Sequence, residues 1–216
     1  MARAYNMDCL EAMRQMKDNQ FDLAIVDPPY GINMDNQPVR LKPSRPNNYL
    51  RAGELQYKVS KWDNAFPQRE YFDELYRVSR NQIIWGANYF CEHIKSGKGW
   101  IYWDKQMGEN NNFSTGEFAY QSIQVRSNYI SIPSMRVANT RIHPCEKPVA
   151  LYRWLLDKYA NPGDTILDTH LGSGSSRIAA HQMGFDFTGY ELDPDYFAAQ
   201  EKRFALAIQQ QSLFLP

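Results

Sequence analysis

Apolar and polar positions along the chain fall into blocks whose period switches between that of a strand and that of a helix. Ala2–Met7 is a short mixed segment that predicts a strand. Leu10, Met13 and Met16 then share one helical face, and Asp8-x-x-Glu11 in front of them has the form of a capping box. Phe21-Asp22-Leu23-Ala24-Ile25-Val26 is almost continuously apolar, the pattern of a parallel strand buried on both faces. It stops at Asp27-Pro28-Pro29-Tyr30-Gly31, which can extend neither a helix nor a sheet.

Residues 31–69 lose this periodicity and are rich in proline and asparagine, which predicts a long loop of the kind that is functional or mobile. Beyond it, Glu70–Val78 predicts a helix, and Gln82–Trp85 and Trp100–Trp103 predict strands with a short helix, Tyr89–Ile94, between them. Gly108–Asn112 reads as a turn, followed by strands at Glu117–Val125 and Tyr129–Ile132. Pro148 opens a helix through Leu151, Leu155 and Tyr159, closed by Asn161-Pro162-Gly163. Thr165–Asp168 reads as a buried strand and Leu171–Ser176 as a glycine-serine loop; a helix then runs to Met183 with Gly184 as its stop. Phe187–Glu191 is another strand, and Pro194 starts a last helix with Phe197, Phe204 and Ile208 inward. Strands alternating with helices predict an α/β fold: a doubly wound, mostly parallel sheet with helices on both faces. Asp27, Asp168 and Glu191 all fall at strand carboxyl ends, where such sheets bind their ligands.

The length, 216 residues, suits one domain carrying insertions, the basic loop 31–69 and a segment at about 110–142, rather than two domains. Lysine plus arginine equals aspartate plus glutamate, 24 against 24, which excludes a uniformly basic protein that coats nucleic acid. The charge is uneven, however. Residues 36–61 carry a net +5, residues 126–153 a net +4 and residues 157–202 a net −5. The basic stretches are either solvated surface or phosphate-contacting segments. Fourteen tyrosines, eleven phenylalanines and five tryptophans supply both core and stacking platforms. Three scattered cysteines without C-x-x-C spacing, and four histidines without a zinc pattern, argue against a disulfide scaffold or a metal site and for the reducing cytoplasm. No run of about 18 apolar residues predicts a membrane span, and Asp8, Glu11 and Arg14 interrupt any signal-peptide core.

Chemistry concentrates at Asp27-Pro28-Pro29-Tyr30. The two prolines fix φ, lack N–H donors and expose a backbone carbonyl in a rigid corner. The Asp27 carboxylate and that carbonyl can together accept both hydrogens of a planar amine, and the Tyr30 ring can stack on the ring that bears it. The plain alternative is a proline turn that only ends a buried strand.

Three segments taken in order, Met7-Asp8-Cys9-Leu10 with Phe21–Gly31, then His143-Pro144-Cys145-Glu146-Lys147-Pro148, then Ile166–Ser175 with Gly189-Tyr190-Glu191-Leu192-Asp193, resemble the beta-class DNA amino-methyltransferases. These enzymes move a methyl group from S-adenosylmethionine to adenine N6 or cytosine N4. The resemblance implies a seven-stranded Rossmann-like methyltransferase sheet with the catalytic motif ahead of the cofactor loop. It implies Asp27, Pro28, Pro29 and Tyr30 as catalytic, with the base flipped out of the duplex and stacked on Tyr30.

For the cofactor the resemblance implies Asp8, His143, Lys147, Asp168, Gly172, Ser173, Gly174, Ser175, Glu191 and Asp193, with Glu191 on the ribose hydroxyls. Asp8 and Asp193 can equally be helix caps. The sequence departs from the family at Asp168-Thr169-His170, where Asp-Pro-Phe is usual, and Arg177 stands where a dinucleotide fingerprint has its third glycine. Contacts to double-stranded DNA are expected from Arg40, Lys42, Arg45 and Arg51, and from Arg126, Arg136 and Arg141. A second copy of the chain and a cognate restriction enzyme are further candidate partners, and no metal is implied. Asp27 in the first motif position leans toward adenine. Cytosine N4, an RNA or protein-amide substrate, and a DNA-binding module without catalysis are the alternatives.

Overall fold

A computed structural model describes residues 1–32, 63, 66–96, 98–107, 114–134 and 142–212. The elements are β1 (Ala2–Asn6), α1 (Cys9–Arg14), β2 (Phe21–Val26), α2 (Arg69–Val78), β3 (Ser79–Trp85), β4 (Gly99–Asp104), β5 (Gly116–Gln121), β6 (Asn128–Ser131), α3 (Val149–Tyr159), β7 (Thr165–Asp168), α4 (Ser175–Gln182), β8 (Asp186–Glu191) and α5 (Pro194–Ser212). The proposed turn at Gly108–Asn112 and most of the 31–69 loop lie outside the described residues.

The strands form one sheet in the order β1-β8-β7-β2-β3-β5-β4-β6. Only β5 runs against the others, antiparallel to both β3 and β4. The sheet has eight strands where seven were expected. The four-residue β6 pairs in parallel with the outer side of β4 and forms the edge. From β2 the chain winds to β3 on one side, and from β7 it winds to β8 on the other, so the topology reverses between β2 and β7. Ligands bind at that reversal, beyond the strand carboxyl ends.

The alternation of β2 explains its apolar continuity. Leu23 and Ile25 enter a cluster with Leu151 and Leu155 of α3 and Ala179 of α4, while Ala24 and Val26 enter another with Met13 of α1 and Phe72 and Leu75 of α2. Successive residues of a strand point to opposite faces, and here both faces are covered. The expected strand Glu117–Val125 is shorter, ending at Gln121. The Gln121 side chain ends it: its carbonyl accepts from the Ile123 and Gln124 N–H groups, and its amide donates to the Gln124 and Arg126 carbonyls. The segment between β3 and β4 is two short 3-10 turns, at 87–89 and 91–93, rather than one helix. Among the described residues, no helix is long and apolar enough to cross a membrane.

Candidate active site

Asp27 and Asp168 close neighbouring strands at the reversal: β2 and β7 pair in parallel through Leu23 with Ile166 and Ala24 with Leu167, which sets Asp168 level with Ile25, two residues before Asp27. Past Asp27 the prolines end the ladder, and the chain turns at Gly31, whose φ is +71°. The Gly31 N–H donates to buried Asp63 at 2.8 Å. That turn folds Tyr30 back so that its hydroxyl donates to Asp27 Oδ1 at 2.6 Å. The Tyr30 ring stacks on Tyr89, with centroids 5.0 Å apart and 18° between the planes. Gly86 lies against the same ring with φ +67°, and a Cβ there would stand 2.1 Å from it.

The second Asp27 oxygen accepts from the Lys147 ammonium. Lys147, with a side chain 3% exposed, also lies 3.0 Å from Glu117 Oε2, and Glu117 Oε1 lies 2.5 Å from Lys105 Nζ. Tyr30, Asp27, Lys147, Glu117 and Lys105 therefore form one chain of contacts in which carboxylates and ammonium groups alternate. Burial pushes the Asp27 carboxyl up, and Lys147 opposes it. Burial alone would lower Lys147, but Asp27 and Glu117 outweigh it and hold the ammonium above the ordinary lysine range. Burial also acts upward on Glu117, yet Lys147 and Lys105 bring it down to about 2.

The glycine-serine loop follows β7. Gly172 and Gly174 have φ +49° and +74°. The Gly172 N–H donates to Glu191 Oε2 at 2.8 Å and the Asp193 N–H to Glu191 Oε1 at 2.9 Å, so the carboxylate ending β8 is fixed through both oxygens. Burial pushes its pKa up. Asp168 accepts from the His170 N–H at 3.0 Å and the Ser176 hydroxyl at 2.5 Å, and burial pushes its carboxyl up to about 7. Thr169 Oγ1 lies 2.7 Å from the Tyr71 hydroxyl and 2.9 Å from His170 Nδ1, tying the loop to α2. Arg203 of α5 donates to the Ser173 carbonyl at 2.7 Å and the Ser175 hydroxyl at 2.9 Å.

Arg177 has a structural task at the missing-glycine position. Its guanidinium donates to the Ala2 carbonyl and to Gln200 and Glu201 of α5, and lies 3.8 Å from the Phe204 ring centroid.

His143 lies between the two halves. Its ring is the nearest group to a Cβ built on Gly172, at 3.6 Å, and it packs edge-on against Tyr196. His143 Nδ1 accepts from the Cys145 N–H, which leaves the proton of the neutral ring on Nε2. Burial, helped by Lys147, lowers its pKa to about 3. Asp8 accepts from the Leu10 and Glu11 N–H groups and caps α1; Asp193 does the same for α5 through Asp195 and Tyr196. Both caps stand near Glu191, since Asn6 pairs with it across β1 and β8.

Thus Asp27, Tyr30 and Lys147 come together as one group, and Asp168, Gly172–Ser175, Glu191, Asp193 and His143 as another beside it. Arg126 is not brought to this edge. It is exposed on the turn beside Gly99, at the amino end of β4. Arg40, Lys42, Arg45, Arg51, Arg136 and Arg141 lie outside the described residues. Among the described residues no cluster of three or more His, Cys, Asp or Glu side chains is placed to hold a metal ion.

Sequence reasoning missed Lys105, Glu117, Gly86 and Tyr89. A signal existed for Glu117: it precedes buried Ala119 by two residues, so a carboxylate occupies an inward position of an apolar strand.

Fold and site define an α/β protein with a glycine-serine loop beside an acid-proline corner. A family model described as DNA methylase matches residues 102–202. The YubD protein of Escherichia coli (strain K12) is 28% identical over 219 residues, 97% of this chain and 92% of that one. Type II methyltransferase M.HpaI of Haemophilus parainfluenzae is 23% identical, covering 91% of this chain and 72% of its own length. The crystal structure of the M1.HpyAVI-SAM complex superposes with a TM-score of 0.60 at 19% identity, covering 94% of this chain and all of that one. The cytosine-N4-specific PvuII DNA methyltransferase gives 0.59 at 12% identity, over 96% and 91% of the two chains. The chain is similar over nearly its whole length to a methylase and to a type II methyltransferase, and its residues 102–202 match the DNA methylase family.

Proposed function

We propose that this chain methylates N6 of a flipped-out adenine in a specific sequence of double-stranded DNA, with S-adenosylmethionine as donor. The observation that carries the reading is the adjacency of Asp27 and the Gly172–Ser175 loop across paired strands β2 and β7. An amine acceptor and an adenosyl cradle then face one reaction point. The residues fit the cofactor. Glu191, held by two backbone N–H groups, offers its remaining lone pairs to two ribose hydroxyls. Asp8, Asp168 and Asp193 add negative charge, which suits a ligand that carries a sulfonium and an ammonium. His143, over Gly172, stands toward the methionine end.

S-adenosylmethionine supplies an electrophilic methyl group. The exocyclic nitrogen of adenine is a poor nucleophile, because its lone pair is delocalised into the ring. Accepting its hydrogens at Asp27 and at the Pro28 carbonyl favours a pyramidal nitrogen with an available lone pair. Both Asp27 oxygens already accept one bond, but each keeps a second acceptor site. Transfer would break the methyl–sulfur bond, its electron pair staying on sulfur as a neutral thioether, and leave the new methylated nitrogen cationic; Asp27 is the carboxylate in position to take the proton that nitrogen loses. Holding the amine in line with the methyl group supplies much of the rate. The stacked Tyr30–Tyr89 pair offers an aromatic surface to the extruded base.

Asp in the first motif position supports adenine. Cytosine N4 is the second reading, favoured by the likeness to the PvuII enzyme. The likeness to M.HpaI supports a role beside a restriction enzyme. Methylation-sensitive sequencing of DNA from cells making the protein tests base and site together. N6-methyladenine at one short motif, absent from cells making Asp27→Ala, is the expected result; N4-methylcytosine would replace the adenine reading, and unmodified DNA would overturn both.

A further inference from the structure

Glu117 has no part in the mechanism above, although it is the counter-charge that Asp27 competes with. It stands on β5, an element that contributes neither the acid-proline corner nor the glycine loop. It approaches Lys147 at 3.0 Å through Oε2 and Lys105 at 2.5 Å through Oε1. Lys147 has a side chain 3% exposed; it donates to Asp27 and forms an ion pair with Glu117. Water therefore does little to screen the competition, and a change in one carboxylate is felt at the other.

We propose that Glu117 is a positioning residue for methyl transfer: by sharing the Lys147 ammonium with Asp27, it sets how strongly Asp27 accepts hydrogen from the substrate amine. The inference rests on the methyltransferase reading. If Lys147 paired with Asp27 alone, the carboxylate would be held as a spent acceptor, weak toward the amine. With Glu117 drawing the ammonium away, Asp27 keeps acceptor strength for the reaction. Lys105, at the end of β4, acts in the opposite sense, since it occupies Glu117 and limits its pull on Lys147.

The groups facing this chain of charges come from every neighbouring element. Tyr30 donates to Asp27, and Asp63 holds the turn below it. His143 and Cys145 come from the segment before α3, Tyr152 from α3, and Asp168 from β7. His143 is neutral above about pH 3, Cys145 is protonated below about pH 12, and Tyr30 and Tyr152 stay protonated throughout. Asp168 titrates near 7, but it belongs to the cofactor loop, so rates taken at saturating S-adenosylmethionine set it apart.

The test is kcat against pH at saturating cofactor and DNA for wild type, Glu117→Gln and Lys105→Met. Glu117→Gln keeps the shape and loses the charge. Its acidic limb should move down by roughly 0.5–1 pH unit, with a several-fold lower plateau and little change in KM for the cofactor. Lys105→Met should move the same limb up. Glu117→Asp should restore part of the wild-type position. A merely structural Glu117 would lower stability and leave the limb where it is in every variant that folds, and that result overturns the proposal. If Glu117→Gln fails to fold, Lys105→Met reads the same network from its outer end, and an unmoved limb there overturns it equally. A wild type that methylates no DNA sinks the underlying function instead, so the two failures are separable.

Discussion

At the scale of single residues, the site combines carboxylates that burial treats differently. Glu117 is stabilised as an anion by two ammonium groups, whereas Asp168 meets only hydroxyl and amide donors and is pushed up to about 7. A raised acid holds its proton below that value and releases it above. Binding a cationic ligand favours the ionised form, so it should lower the Asp168 pKa. Affinity for S-adenosylmethionine is therefore expected to rise with pH up to about 7, by at most about tenfold per unit, and then level off. His143 and His170, brought down to about 3 and about 4, stay neutral across this window and do not contribute. Calorimetric titrations between pH 5.5 and 8.5 check this, with Asp168→Asn as the comparison. A wild-type profile as flat as that of the variant would remove Asp168 from cofactor binding.

At the scale of elements, the two halves of the site are held by neighbours that contribute no chemistry. The turn after β3 is one of them. Gly86 is left-handed and touches the Tyr30 ring, so Gly86→Ala meets two obstacles, an unfavourable φ and a Cβ 2.1 Å from the ring. Tyr30 must move, and its bond to Asp27 moves with it. The expected outcome is a loss of about 1–3 kcal/mol in denaturant unfolding, with a larger fall in kcat than in cofactor affinity. Equal kcat in a folded variant would show that the position of Tyr30 does not matter to turnover. Arg177 plays the comparable part for the other half, joining α4, α5 and β1 where the sequence had suggested only a missing glycine.

At the scale of the whole molecule, formal neutrality hides the asymmetry that DNA binding requires. The basic segments 36–61 and 126–153 stand against an acidic stretch at 157–202 that carries the glycine-serine loop. Replacing Arg40, Lys42, Arg45 and Arg51 by alanine should weaken DNA affinity across all sequences. It should also flatten the plot of log affinity against log salt, by up to roughly 0.9 for each phosphate that is no longer neutralised. Cofactor affinity should hold, because the residues proposed for that pocket come from the carboxyl-terminal half together with Asp8. Equal salt slopes for variant and wild type would assign DNA binding to other residues.

Much of this was determined by the sequence alone. The apolar run of β2, the proline stop behind Asp27 and the glycine loop behind β7 are local signals, because backbone geometry and burial on two faces act within a few residues. They set the element order, the acidic residues at the strand ends and the cap at Asp8, and the ordered motifs carried the resemblance to the DNA amino-methyltransferases. Tertiary structure decided what depends on residues far apart in the chain. Lys147 meets Asp27 across 120 positions, and Glu117 and Lys105 reach it from a hairpin whose antiparallel strand breaks the pattern of the sheet. Strand pairing and shared burial, rather than sequence spacing, turn these scattered charges into one network, so the state of Asp27 could be known only after the sheet was assembled.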